Sequence, residues 1–466
     1  MSSNIKNMTE GRPGKLILSF AFPLMFGNIF QQLYTVMDTL IVGRILGVKA
    51  LAALGASDWL NWMILGIITG FAQGFSILIA QEFGARHEER LKKVIGNAVI
   101  LSAVFAVLLT VCSQWAAKPV LRFLDTPDDV LPSSLVYLRI MFAGAPIVMA
   151  YNLLASILRA LGDGKTPLRA MLAASVVNIG LDILFVAGFH TGVGGAAAAT
   201  LMAQVLASLI CLRAILKTEV LHLTRKHFRP DRSLITKLAA LGTPMAIQNT
   251  IIAVGGLVVQ SIVNSYGVLF IAGFTATNKL YGILEVAATS YGYAMTTYVG
   301  QNLGAGRFDR IRKGVRSATV IALITSIVIS ACMLLFGRAL VGSFITGTSS
   351  EIQTATDIAY HYLSIMSWLL SILYLLHLYR SALQGMGDTV MPMVSGIAEF
   401  LMRTLSALLL PHVLGQQGIF YAEILAWIGA DIILLPTYFY RIIKISKQST
   451  LYMEGKAPAA SDYHVC

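Results

Sequence analysis

Charge is scarce in this chain. Of its 466 residues, 12% are Asp, Glu, Lys or Arg, about half the roughly 25% of a soluble domain. Hydrophobic residues make up 56%, and the mean hydropathy is +0.72. The shortage of charge all but excludes a water-soluble globular enzyme, and the apolar excess excludes disorder. Cysteine is also rare. Cys112, Cys211, Cys332 and Cys466 make no disulfide framework, and no C-x-x-C pair exists for zinc or redox chemistry. Catalytic signatures are missing too. The eight histidines show no metal spacing, and neither G-x-S-x-G nor H-E-x-x-H occurs. Gly164-Lys165-Thr166 looks like the end of a phosphate-binding loop, but Arg159 stands where its first glycine belongs. No stretch is long enough for a nucleotide-binding domain. The chain is therefore not expected to be an enzyme, and neither a cofactor nor a structural metal is expected.

What is abundant is long apolar sequence. A bilayer core takes about 20 apolar residues in helix. Twelve stretches qualify, at roughly 16–46, 52–80, 95–115, 134–158, 168–189, 194–216, 238–265, 270–300, 316–336, 358–380, 391–412 and 418–440. The run from Leu16 is too long for the core of a signal peptide and is expected to remain as the first span. Twelve spans put both termini on one side. Of the 35 Lys and Arg, 27 fall on that side, 5 on the other, and Arg139, Lys279 and Arg403 lie inside spans. This asymmetry predicts a multi-pass cell-membrane protein with both termini in the cytoplasm. It also accounts for the net charge of +12 without nucleic acid as a partner.

The two halves repeat. Gln81, Gly84, Ala85, Arg90 and Lys93 recur as Gln301, Gly304, Ala305, Arg310 and Lys313. Pro23 and Asn28 recur as Pro244 and Asn249, and Ser156, Gly162, Asp163 and Pro167 recur as Ser381, Gly387, Asp388 and Pro392. Six spans per half give both halves the same topology, so they are parallel repeats, an architecture of transporters. The expected fold is all-α, with twelve transmembrane helices in two pseudo-symmetric six-helix lobes. The expected divisions are 1–220 (first lobe), 221–448 (second lobe, entered through the basic linker 217–233) and 449–466 (a polar, disordered cytoplasmic tail).

A charge in the bilayer interior costs at least about 2.5 kcal/mol, so charged residues inside spans are the best functional candidates. Asp38 lies in span 1, after Pro23 and Gly27, either of which can bend that helix. Asp182 follows Asn178 by four residues on span 5, so the two share a face, and Thr200 opens span 6. A carboxylate, an amide and a hydroxyl make an oxygen-rich cluster that can share a proton or hold Na⁺ as a hard cation; local capping is the bland alternative for each acid. In the second half, Glu399 and Arg403 are four apart and read either as an internal ion pair or as a substrate or gating site. Glu285 reads as a partner of Lys279, as a water-bridged structural group, or as a substrate contact. Asp431 reads as structural.

The 6+6 organisation, the segments QEFGARHEERLKK (81–93) and VGQNLGAGRFDRIRKG (299–314), and the two G-D-x-x-x-P pieces at Gly162–Pro167 and Gly387–Pro392 resemble the multidrug and toxic compound extrusion (MATE) family over nearly the whole chain. Within it the chain is most similar to the DinF-like branch, whose pattern maps onto Pro23, Asp38, Asn178, Asp182 and Thr200. The resemblance implies that Gln31, Tyr137 and Asn152 line a substrate cavity in the first lobe. Span 7 carries Gln248 and Asn249 but no acid, unlike the NorM-like branch with its Na⁺ site there. The resemblance further implies a V-shaped pair of lobes working as a monomer. Its expected activity is efflux of bulky cationic or amphipathic xenobiotics in exchange for H⁺ or Na⁺. The competing expectation is a flippase for a lipid-linked sugar or peptidoglycan precursor; such proteins usually present a more basic central cavity than three in-span basic residues provide.

Overall fold

The computed structural model describes residues 5–124, 126–345 and 348–453. Cys466 and most of the expected tail, 454–466, lie outside them. Among the described residues fourteen α-helices follow one another: α1 Pro13–Leu46, α2 Val48–Gly84, α3 Glu88–Phe123, α4 Leu131–Ala143, α5 Ala145–Ala160, α6 Lys165–Asp182, α7 Gly192–Leu216, α8 Arg232–Asn264, α9 Val268–Gly304, α10 Phe308–Gly342, α11 Ser349–Trp368, α12 Leu370–Gly385, α13 Val390–Leu414 and α14 Ala422–Met453. There is no strand among the described residues.

Every expected span meets a helix or a bent pair. Among the described residues, eight stretches are long and apolar enough to cross a membrane, one of them (Val390–Ile445) containing both α13 and α14. The pairs α4–α5 and α11–α12, bent by 48° and 52°, pass the same test when each is taken as one span, and α9 fills the remaining expected span, 270–300. Pro146 explains the first bend. It stands in the first turn of α5, where a missing N–H costs nothing, while a straight helix would lose a hydrogen bond there. Pro23, by contrast, lies inside α1, which runs on through it.

The chain gathers into two compact units. Among the described residues, one takes in 5–8 and those of 22–249, and the other 9–21 and those of 250–453. Within the first unit α8 meets α2 along a stripe of small residues. A methyl group built on Gly70 would fall 2.6 Å from the Cα of Ala246, and Asn249 Nδ2 donates to the Gly66 carbonyl at 3.0 Å. Gly66, Gly70 and Gly74 are spaced four apart on α2, the pattern that lets helix backbones approach closely in lipid.

The repeated loop motifs are structural fasteners. Asp163 accepts from the backbone N–H groups of Lys165 and Thr166 at the start of α6, and Asp388 accepts from Met391 N–H at the start of α13. The preceding Gly162 and Gly387 have φ of +84° and +88°, conformations that glycine adopts without strain. After α2, Glu82 pairs with Arg90 at 2.8 Å; in the second repeat Arg310 donates to Asn302 Oδ1 at 3.1 Å. The linker is ordered against α3. Lys226 Nζ lies 3.1 Å from Glu89, and Asn97 bonds the chain at Arg229 and Asp231.

Candidate functional site

Two polar clusters stand out, one in each unit. In the first unit α1 brings Asp38, α6 brings Asn178 and Asp182, and α7 brings Thr200. All four side chains are buried, Asp182 completely. The Asp38 and Asp182 carboxyl groups are close enough to interact electrostatically. Asn178 Nδ2 is 3.5 Å from Thr200 Oγ1. Asp38 Oδ1, Asn178 Oδ1 and both Asp182 oxygens are buried with no hydrogen-bond partner. A buried acceptor without a donor is costly. Two carboxylates facing each other without a donor need a proton or a cation between them. Immediately after Asp182 the helix loosens into one π-helical turn, Ile183–Gly188, a distortion frequent at functional sites.

Asn178 and Thr200 also line a small pocket between α5, α6 and α7. Its wall adds Tyr151, Ser175 and Gln204. The pocket is mostly apolar, with a few convergent polar groups. Gln31, Tyr137 and Asn152 do not line it. Gln31 is half-buried on α1, Tyr137 is packed in an apolar cluster with Val42, Phe142 and Val186, and Asn152 Nδ2 donates to its own helix at Val148. Ser175 and Gln204 were not legible as candidates, since a hydroxyl and an amide in an apolar helix carry no distinctive spacing.

The second unit holds a chain of ion pairs. Arg403 reaches Glu399 at 2.9 Å and Glu423 at 2.8 Å, while Arg380 reaches Glu399 from the other side at 2.6 Å. The expected Glu399–Arg403 pair is thus present but is only the middle of a longer network. Arg380 corrects the charge count: it is not a loop residue but is buried on α12, because Glu399 compensates its charge there. Removing it leaves 26 basic residues on the terminal side, so the asymmetry stands. Glu285 pairs with His377 Nε2 at 3.3 Å rather than with Lys279. Six residues apart, Glu285 and Lys279 project from different faces of α9, and Lys279 is exposed. Asp431 is buried, with Oδ1 unpartnered. Among the described residues no group of three or more His, Cys, Asp or Glu is arranged to hold a metal ion.

Helices of membrane-crossing length in two repeats, each with buried charge and one with a cavity, define a polytopic helical transporter. The sequence profile of the MatE family matches residues 23–184 and again 244–409, and the chain belongs to that family. The two matches begin at Pro23 and Pro244, the pair that marks the internal repeat. Members of the family are transporters, not enzymes. The probable multidrug resistance protein YoeA of Bacillus subtilis (strain 168) is 28% identical over 386 residues, covering 81% of this chain and 82% of that protein. The probable multidrug resistance protein YpnP of the same strain is 32% identical over 307 residues, 66% of this chain and 68% of its own. A crystal structure of MATE in complex with MaL6 superposes with a TM-score of 0.89 at 24% identity, covering 96% of this chain and all of that one. This last likeness concerns the fold.

Proposed function

We propose that this protein is a secondary active multidrug efflux antiporter of the cell membrane. It works as a monomer with both termini in the cytoplasm. It exports bulky cationic or amphipathic compounds in exchange for H⁺ or Na⁺. The observation that carries this reading is the pair of buried carboxyl groups, Asp38 and Asp182, beside Asn178 and Thr200 on the wall of the cavity. The names of the B. subtilis relatives support the substrate class.

The coupling follows from electrostatics. With the ion absent, the carboxylates repel each other and attract a cationic compound into the cavity. A proton shared between them, or Na⁺ held by the carboxylate, amide and hydroxyl oxygens, cancels the charge that holds the compound. Neutralisation also removes the repulsion between the two carboxylates on α1 and α6, and Pro23 with Gly27 marks the point at which α1 can bend in the cycle. The ion gradient drives the cycle, with the membrane potential adding about 2.3 kcal/mol per charge per 100 mV. A lipid-precursor flippase fits less well. It needs free basic groups for a phosphate, and the two buried arginines of the second unit are held by glutamates.

Dye uptake into energised inverted vesicles tests the coupling ion. At a fixed pH gradient, transport that proceeds without Na⁺ assigns the cluster to H⁺, and transport that requires Na⁺ assigns it to sodium. Correctly folded protein that moves no cationic dye under either condition contradicts the reading.

A further inference from the structure

One end of the first unit carries positive charge that no nearby acid answers. The stretches Lys165–Gly188 and Gly192–Leu216, each long and apolar enough to cross a membrane, contain α6 and α7, which pack on each other. Lys165 and Arg169 stand in the first two turns of α6, and Arg213 and Lys217 at the end of α7. All four side chains are exposed. Each pair is spaced by four residues and so shares a helix face. The two pairs lie at the same end. Cys211, two residues before Arg213, is close enough to Asp163, two before Lys165, to feel its charge. The opposite halves of the helices meet at Asn178 and Thr200.

Acids in the neighbourhood are used elsewhere or stand apart. The one carboxylate of α6, Asp182, is at its far end, and α7 has none. Asp163 accepts from the backbone N–H groups of Lys165 and Thr166 and from the Thr166 hydroxyl. Glu219 is exposed on the short turn after Lys217. Other basic side chains of this unit are engaged: Arg90 by Glu82, Lys92 and Lys226 by Glu89, and Arg159 bonds Ser156. Among the described residues none of the four cations on α6 and α7 has a carboxylate within ion-pair distance.

Topology alone does not require this arrangement. Both repeats obey the same charge rule, yet counted from Pro167 and its repeat Pro392, Lys165 and Arg169 correspond to Val390 and Val394. In the second unit Arg441 of α14 is held by Asp388 at 2.7 Å. Further along the cationic faces the helices are exposed and apolar, with Leu209 and Leu212 on α7 and Val176 on α6. Basic groups between helices at the cytoplasmic surface bind phosphate headgroups, and the apolar strip beside them suits acyl chains, which a free phosphate lacks.

We propose that this end of α6 and α7 binds an anionic phospholipid. Arg169 and Arg213 hold its phosphate, Lys165 and Lys217 flank it, and its chains lie along the exposed apolar strip. The lipid thereby fastens together the two helices that carry Asn178, Asp182 and Thr200.

The test is a binding measurement and is independent of transport. Full-length protein in detergent is titrated with phosphatidylglycerol and with phosphatidylcholine of the same chains, and bound lipid is counted by native mass spectrometry. Wild type is expected to hold one phosphatidylglycerol in preference to phosphatidylcholine. Arg169→Gln with Arg213→Gln is expected to weaken that binding on the order of thirtyfold, the effect of two basic residues at an anionic surface. Arg312→Gln with Arg316→Gln, the same loss of charge from exposed places on α10, is expected to bind as wild type does. Undiminished binding by the first pair, or an equal loss in the α10 pair, overturns the site. Equal binding of the two lipids overturns the headgroup. Displacement of the lipid by an equal concentration of glycerol 3-phosphate, which has no acyl chains, assigns the cations to a soluble phosphate and overturns the lipid. Should the first pair fail to fold, Lys165→Gln with Lys217→Gln, at the outermost ends of the helices, is expected to weaken binding in the same direction, and wild-type binding there refutes the site.

Discussion

At the scale of residues, the sequence is most informative where it breaks its own rule. Asp38, Asn178, Asp182 and Thr200 are legible because carboxylates are rare in apolar runs, and the fold brings the four together. Arg380 and Glu423 are harder to see. Each lies near the end of an apolar stretch, where a charge usually belongs to a loop; only the fold shows that each is within ion-pair distance of a buried partner. The network makes Glu399 the most exposed to harm by mutation. Glu399→Gln leaves Arg380 without its carboxylate and Arg403 with Glu423 alone. Removing one member of a buried ion pair costs about 3–5 kcal/mol. A lowered thermal midpoint in detergent, well below that of Lys279→Gln, is the expected result. The Asp38–Asp182 pair behaves oppositely. Asp38→Asn gives the unpartnered Asp182 oxygens a donor, so that variant should unfold no earlier than wild type, which the same melting experiment checks.

At the scale of elements, helix existence follows from hydropathy, whereas helix meeting points do not. The bend between α4 and α5 is written in Gly144 and Pro146; the bend between α11 and α12 has no such mark, and nothing in its sequence explains it. The stripe Gly66, Gly70, Gly74 is plain once α8 is seen against it, and its spacing was the available signal. Gly70→Leu should force backbone apart where a single methyl group already meets Ala246. Overpacking typically costs about 1–3 kcal/mol, and a backbone neighbour cannot turn aside as a side chain does. The expected outcome is lower yield and a lower thermal midpoint, with Gly55→Leu, which faces open space, as the comparison. The repeated Asp163 and Asp388 accept from backbone N–H groups at helix starts, and Asp388 also pairs with Arg441 at 2.7 Å, so the G-D-x-x-x-P motif reads as a fastener of helix starts rather than as transport chemistry. Replacing Asp163 by Ala should cost about 0.5–2 kcal/mol of stability, with dye transport by the folded fraction unchanged.

At the scale of the whole molecule, the repeat was legible from a handful of matched residues, and the family profile falls on both copies. What repetition conceals is divergence. The first unit buries two interacting carboxyl groups, whereas the second carries a run of ion pairs on α9, α12, α13 and α14. Equivalent scaffolds have thus acquired different electrostatics, and the antiport account places drug binding and coupling in the first. That claim is tested most directly by dye accumulation in energised inverted vesicles, comparing wild type with Asp38→Asn at equal amounts of folded protein. The account predicts accumulation in wild type that collapses when the ion gradient is dissipated, and none above background in the mutant. Accumulation by Asp38→Asn at the wild-type rate would contradict it.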